Sequence, residues 1–579
     1  MTAITELQAA EIDPATLPPP GVYGPKRWLD HYPEGVPHQV DASAIPTMLH
    51  LLEKSFSEYA DRIAFTCMGR SLTYRQLDQT SRDMAAYLQG LGLKKGDRVA
   101  VMAPNVFQQQ VAVCGVIRAG FVVVNVNPLY TARELRHQLK DSGAKAIVIL
   151  ENFAITLQEV IADTEVEHVV ATALGDMLGP KGMLVNAIVR HVKKMVPPYK
   201  LPGAVRFKAA LKAGRAASYQ RPEIAPEDIA VLQYTGGTTG LSKGAMLLHS
   251  TLISSLLAAD AWAEPGLRKL PEDQPLTLVC ALPLYHVFAM INVAMSSIVK
   301  GGRVILIPNA RDLNSLVEAL KGEVFHTFPG VNTLFAALAE YKEFQKLDFS
   351  NLMICNGGGM ACLETTANRW KDVTGSSITE GYGLSETSSG ICCNRADLDG
   401  FTGHCGVPMP GTEIRILDDE GREMPAGARG EICIRGDAVM AGYWNKPDET
   451  AKVMTADGFF RSGDIGVMDE HGSVAVVDRK KDMILVSGFN VFPNEIEDVI
   501  SGLQGVRECA AVGVPDANTG EAIRLFVVGQ DLDDRQVIDY ARTQLVAYKV
   551  PKQIVFIDEL PKSNVGKILR RELRDRQDA

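Results

Sequence analysis

The sequence predicts an α/β protein: a large N-terminal domain of layered sheets and helices, followed by a small α+β C-terminal domain. Three observations predict it. Apolar β-branched runs alternate with helical patterns through the first 180 residues. From about residue 405 that rhythm gives way to short alternating strands with turns. A compact basic and apolar stretch then follows the polar cluster Asp478-Arg479-Lys480-Lys481. At 579 residues the chain is also too long for one core.

Each element has a local cause. DRVAVMAPN (97–105) is an apolar run closed by Pro and Asn, so a buried strand. VFQQQVAVCGVIRAG (106–120) has helical spacing and stops at Gly120, a C-terminal glycine signal. FVVVNVNP (121–128) and AKAIVIL (144–150) are the next strands. Between them TARELRHQLKDSG (131–143) is a helix opened by a Thr131-to-Glu134 capping box. Strands at VILI (304–307), VFHTF (324–328) and LMICN (352–356) continue the pattern. EIRILDDEGRE (413–423) and GSVAVVDRKKDM (472–483) carry the alternating texture. The last stretch holds a strand pair, AAVGVP and IRLFVVG, a helix at 533–547 and a final basic helix in KILRRELR (567–574). Domains are therefore expected at 31–478 and 482–579, with a hinge at 479–481 and a flexible, proline-rich tail at 1–30.

Composition narrows the function. The chain is 46% hydrophobic and 22% charged, ordinary for a globular protein, with a net charge of -10. That balance argues against a nucleic-acid partner. Ten scattered cysteines without CxxC or zinc spacing suit reduced thiols and a cytoplasmic location. The acidic N-terminus lacks the basic and apolar regions of a secretory signal. Residues 275–299 hold no Asp, Glu, Lys or Arg and are long enough to span a bilayer. Pro283, His286 and Asn292 interrupt the run, so it reads as a buried strand ending at Pro283 and then a core helix. No amphipathic membrane anchor stands out.

The segment YTGGTTGLSKGAM (234–246) carries the strongest chemical signal. It follows an apolar strand, DIAVLQ. Thr235, Gly236, Gly237, Thr238, Thr239 and Gly240 supply close backbone approach and hydroxyl donors, and Lys243 adds charge. That composition suits a phosphate cradle. It is not a Walker A loop, because the G-x4-GK[ST] spacing is absent.

The segment resembles the phosphate-binding loop of the adenylate-forming superfamily, which includes acyl-CoA synthetases, luciferases and peptide-synthetase adenylation domains. EGYGLSET (380–387), RSGDIG (461–466), VDRKKDMILVSGFNVFPNEIE (477–497) and PKSNVGKILRREL (561–573) resemble further motifs of that superfamily, in the expected order. The resemblance runs from about residue 30 to 575. With ALPLYHVF (281–288) and DGFFRSGDIG (457–466), the set is most similar to bacterial long-chain fatty-acid–CoA ligases. One departure is Phe459-Phe460-Arg461-Ser462, where the fatty-acyl signature often has DGW and then an HTGD-like run.

The resemblance implies ATP-dependent activation of a fatty acid through an acyl-adenylate, with ATP and CoA as cosubstrates and Mg²⁺ as the metal. Glu386, with Thr235, would hold Mg²⁺. Tyr382 would stack on adenine, with Gly358, Gly359 and Gly383 giving close approach and Ser385 a hydroxyl to the α-phosphate. Asp464 would accept the ribose hydroxyls, and Arg479 would also contact the nucleotide. Lys567 would be the catalytic lysine of the first half-reaction. His286 would gate the acyl pocket, lined by Val287, Phe288 and Met290. Lys481 would be the hinge of a mobile C-terminal domain, whose other face, Ser487 and Gly488, would form the CoA tunnel. A greasy substrate points to peripheral association with the inner face of the membrane, and a homodimer is compatible with the sequence. A medium-chain or aryl carboxylate–CoA ligase, a peptide-synthetase adenylation domain and a non-catalytic fatty-acid or nucleotide binding protein are the alternatives. Tyr285-His286 stands where adenylation domains usually place an Asp after a Phe, and no carrier domain follows.

Overall fold

The computed structural model describes residues 16–235, 242–487, 489–516, 519–563 and 566–576. Its largest sheet has seven strands. In spatial order they are Val205–Arg206, His168–Thr172, Ala146–Leu150, Arg98–Met102, Val122–Asn125, Ile229–Thr235 and Lys243–Leu248. All neighbours are parallel except the last pair, a hairpin that pairs Thr235 with Lys243. A parallel sheet must be covered on both faces. The helix Phe107–Arg118 does part of this, and every one of its residues is buried. It packs in one core with strands of a second, four-stranded sheet that includes Ile63–Cys67, Thr277–Cys280 and Arg303–Leu306.

The expected capping box is present. Thr131 Oγ1 accepts from Glu134 N and Glu134 Oε2 accepts from Thr131 N, opening Ala132–Ser142. Gly143 ends that helix in the left-handed region, at φ 59°. The apolar run at 275–299 splits as expected. Thr277–Cys280 is a buried strand, and helical turns run from Val287 to Lys300 with a π-helical stretch at Met290–Met295. Among the described residues no helix is long and apolar enough to cross a membrane.

Three expectations need correction. VFHTF is not a regular strand; only Thr327 bridges, to Leu278 and Ile354. The tail expected to reach residue 30 meets packed structure sooner. Trp28, in the 3-10 turn Arg27–His31, is buried against Trp262 and Met409. The final basic helix covers only Arg570–Arg574, so Lys567 precedes it in a tight turn. Gly566, at φ 80°, forces that turn.

A third sheet joins Cys355–Gly357, Ile378–Leu384, Ser389–Cys393 and Val407–Pro408. A fourth is an antiparallel meander from Thr412–Leu417 to Val474–Arg479. The small C-terminal domain has its own sheet, ordered Phe489–Val491, Ile484–Val486, Gly520–Gly529, Val506–Asp516, with Gln553–Phe556 parallel to Gly520–Gly529. Ile496, Leu525 and Val537 belong to its separate apolar core.

Candidate active site

Strand ends and turns of several sheets converge on one cleft of about 2190 Å³. The strand Ile229–Thr235 brings Thr235 to its wall, with Lys243 opposite on the paired strand. Lys243 Nζ lies 2.7 Å from Glu449 Oε2 and over the Tyr443 ring, 4.7 Å from its centroid. Gly236, Gly237, Thr238, Thr239 and Gly240 lie outside the described residues.

The strand Ile378–Leu384 and the 3-10 turn Ser385–Thr387 bring Tyr382, Gly383, Ser385 and Glu386 to the same cleft. That turn packs against both strands of the hairpin Ile229–Thr235 and Lys243–Leu248. Tyr443 donates its hydroxyl to Glu386 Oε1 at 2.8 Å, which fixes the carboxylate. Gly358 and Gly359 line the cleft beyond the strand Cys355–Gly357. A Cβ on Gly358 would stand 3.2 Å from the Gly381 carbonyl oxygen and 3.3 Å from the Phe288 ring, so a side chain would narrow the opening there.

Asp464 pairs with Arg479 across two strands of the meander. Its carboxylate is 2% exposed and held from both sides. Arg479 Nε lies 2.6 Å from Oδ1, and the Tyr382 hydroxyl donates to Oδ2 at 2.6 Å. Burial, reinforced by the Asp464 charge, pushes the Tyr382 phenol well up, so it remains a donor.

Lys567 reaches this cleft from the C-terminal domain. Its turn is closed by Ser563, whose N–H donates to the Lys567 carbonyl at 2.7 Å and whose Oγ accepts from Lys567 N at 3.1 Å. The turn lies directly on the large domain: a Cβ on Gly566 would come 2.8 Å from Thr333 Oγ1. Burial and the nearby Arg479 charge lower the Lys567 pKa below its ordinary value, while Asp464 and Glu386 pull it back up. Lys567 also acts on His286. Burial first, and then the Lys567 charge, bring the imidazole down to about 4, so His286 is neutral near pH 7.

His286 caps the helical turn Val287–Ala289, its Nδ1 accepting from Phe288 N at 3.3 Å. His286, Val287 and Phe288 line the cleft, and Met290 does not. Met290 is 2% exposed, and its sulfur accepts from Asn125 Nδ2 at 3.3 Å in the core. Beyond Val287, the positions of the helical stretch that line the cleft are Phe288, Asn292 and Ser296, spaced four apart. Met290 is not among the residues that line the cleft, unlike its expected place in the acyl pocket.

Three site residues were not anticipated. Asn292 has a buried Oδ1 without a hydrogen bond among the described residues. Tyr443 orients Glu386, and no sequence signal marks it. Glu380, the first residue of EGYGLSET, lines the cleft with Oε2 likewise unpaired, and burial raises its carboxyl to about 8. Its signal was a charged residue within the strand Ile378–Leu384.

Lys481 lines the cleft edge, whereas its neighbour Lys480 is tied to Asp419 at 2.5 Å and Glu431 at 3.4 Å. Ser487 is exposed and stands outside the cleft, and Gly488 lies outside the described residues. Next to them Phe489 is 54% exposed, stacked on Tyr548 at 4.5 Å.

Known proteins match both parts of this arrangement. The AMP-binding enzyme family matches residues 52–444. This chain belongs to that family. The AMP-binding enzyme C-terminal domain matches residues 495–567, which ends on Lys567. A long-chain-fatty-acid–CoA ligase of Escherichia coli O6:H1 is 51% identical over 95% of this chain and 98% of its own. One from Bacillus subtilis is 36% identical over the same shares. Among solved AMP-binding enzymes, an anthranilate CoA ligase in complex with anthranoyl-AMP superposes with a TM-score of 0.81 at 25% identity, covering 92% of this chain and 98% of its own. ATP-bound MatB from Rhodopseudomonas palustris gives 0.74 at 29% identity, covering 91% and 98%.

Proposed function

We propose that this AMP-binding enzyme is a long-chain fatty acid–CoA ligase, converting ATP, a fatty acid and CoA to acyl-CoA, AMP and pyrophosphate. The observation that carries the reading is Lys567, held by the small domain over the cleft that contains Glu386, Asp464 and Arg479. Relatives of 51% and 36% identity bearing the name of that ligase support the substrate class.

In the first half-reaction a carboxylate oxygen of the fatty acid attacks the α-phosphorus of ATP. The bond to pyrophosphate breaks, and acyl-AMP remains. The carboxylate is itself the nucleophile, so no Ser-His-Asp triad is required. Lys567 bridges the incoming carboxylate and the α-phosphate, where negative charge crowds. Tyr382 stacks on adenine, and Gly358, Gly359 and Gly383 allow its close approach. Asp464 accepts the ribose hydroxyls while Arg479 holds it in place. Thr235, Gly236, Gly237, Thr238, Thr239, Gly240 and Lys243 cradle the phosphates, with Ser385 donating to the α-phosphate.

The donor set fits Mg²⁺. Glu386 offers one carboxylate oriented by Tyr443 and Thr235 one hydroxyl, and ATP phosphates complete such a shell. Bound there, the ion would offset phosphate charge. Among the described residues no group of three or more His, Cys, Asp or Glu could hold a metal without that help.

In the second half-reaction the CoA thiolate attacks the acyl carbonyl and AMP leaves. The small domain, 482–579, turns about Lys481, withdrawing Lys567 and bringing in the face around Ser487 and Gly488. The exposure of Ser487 while Lys567 is inside supports two faces used in turn. His286, Val287 and Phe288 border the acyl chain, with His286 as the gate. A test that needs no CoA is exchange of labelled pyrophosphate into ATP. Exchange dependent on long-chain fatty acid supports the adenylate; its absence with every carboxylate refutes it.

A further inference from the structure

Glu380 lines the cleft and has no task in the proposed reaction. Among the side chains that line the cleft, Asn292 Oδ1, Ser389 Oγ and Glu380 Oε2 are buried polar atoms with no hydrogen-bond partner within the described residues. Leaving such an atom unpaired is costly, so each calls for a partner. Place accounts for two of them. A Cβ on Gly390 would stand 3.6 Å from Asn292 Nδ2, and Ser389 backs directly onto Gly383. Gly383 and Gly390 are paired across their strands. Asn292 and Ser389 therefore flank the part of the strand Ile378–Leu384 that leads into Ser385 and Glu386, where an acyl-adenylate is itself polar.

Glu380 stands apart from them, and its side chain is 7% exposed. The Gly403 backbone and the Thr402 side chain hydrogen-bond its carboxyl and leave Oε2 unpartnered among the described residues. Burial raises its pKa to about 8, so near pH 7 it is a protonated carboxyl and can donate. The thiols of Cys362, Cys393 and Cys405 lie in its electrostatic reach, and burial keeps all three neutral. Every residue from Glu380 to Glu386 lines the cleft, so the cleft follows the strand. A strand rises about 3.3 Å per residue, which sets Glu380 about 16 Å back from Ser385. Successive Cα atoms lie about 3.8 Å apart across three bonds, so that distance spans roughly a dozen carbons of an extended chain.

We propose that Glu380 is a specificity-determining residue, donating a hydrogen bond to a hydroxyl borne roughly a dozen carbons from the carboxyl of a long acyl chain. The substrate class is then long-chain hydroxy fatty acids, a narrower statement that rests on the ligase reading. A saturated chain would set methylenes against Oε2 and leave it unpaired. A hydroxyl at that point accepts from Glu380. A site whose buried polar group meets a substrate hydroxyl rejects the analogue that lacks it, because the group then goes unsatisfied. A hydroxyl next to the carboxyl lies too far from Glu380 to serve.

The test compares AMP production by the full-length enzyme, with Mg-ATP and CoA, on 12-hydroxyoctadecanoic, 2-hydroxyoctadecanoic and octadecanoic acids. Wild type should show a kcat/KM about tenfold or more higher for the 12-hydroxy acid than for the other two. Glu380→Leu should bring the ratio of 12-hydroxy acid to octadecanoic acid to about one, and Glu380→Gln, which keeps an N–H donor, should retain most of the preference. The wild-type comparison needs no variant to fold. Equal turnover of the 12-hydroxy and saturated acids would overturn the inference, assign Oε2 to ordered water and leave the ligase reading standing. An undiminished preference in Glu380→Leu would overturn it too. Failure of all three acids would overturn the ligase reading and the inference with it.

Discussion

The Lys567 ammonium sits among two cations and two carboxylates, so its charge state is a balance. Burial and Arg479 work against it, and Asp464 and Glu386 work for it. Two outcomes follow at this scale. Lys567→Ala should slow adenylation by about a hundred- to a thousand-fold, the usual loss for one group stabilising transition-state charge. Thioester formation from supplied acyl-AMP should stay near wild type, and measuring the two half-reactions separately distinguishes this from a folding defect. The second concerns pH. The cation is the active form and its pKa is lowered, so adenylation should fall as pH rises through a value below the ordinary 10.5. Lys567→Arg should abolish that alkaline limb, since guanidinium stays charged; a limb unchanged in the arginine variant would assign it to another group. Most of these residues were legible in the sequence because motif spacing survives folding. Met290 was not: its place depends on helical phase, and the π-helical stretch that begins there shifts the phase.

Among the elements, the link between the two domains matters most. The strand Val474–Arg479 belongs to the meander and Ile484–Val486 to the C-terminal sheet, so few residues connect them. Lys480 is held by Asp419 and Glu431. Asn494 of the small domain donates its backbone N–H to Asp478 at 2.9 Å and its side-chain amide to the Val477 carbonyl at 3.0 Å. The proposed rotation about Lys481 would break such bonds. Lys481→Pro fixes φ at one conformer, so it should leave adenylation within a few-fold while sharply slowing thioester formation; equal loss of both half-reactions would remove Lys481 from the hinge role. Regular elements were legible where local signals agreed, as at Thr131 and Glu134, where pattern and cap coincide. VFHTF looked like a strand but makes only bridges, because strand pairing is decided by neighbours that a sequence window does not contain.

For the molecule as a whole, the two-domain plan was legible from the change of texture near residue 405 and the polar cluster at 478–481. The orientation of the domains was not, since it depends on contacts such as Gly566 against Thr333. That orientation places Lys567 in the cleft and leaves Ser487 outside, the arrangement suited to the first half-reaction. The side of the cleft proposed for the acyl chain is bordered by Phe288, Asn292 and Ser296, whose polar members set it apart from a uniformly greasy tunnel. The measurement that tests the central claim most directly is steady-state AMP production with Mg-ATP and CoA across saturated fatty acids from about C4 to C18, with benzoate as control, a range in which each buried methylene contributes about 0.8 kcal/mol. A rate maximum at long chains is the predicted result. A maximum with short or aromatic acids, or no AMP from any carboxylate, would contradict it.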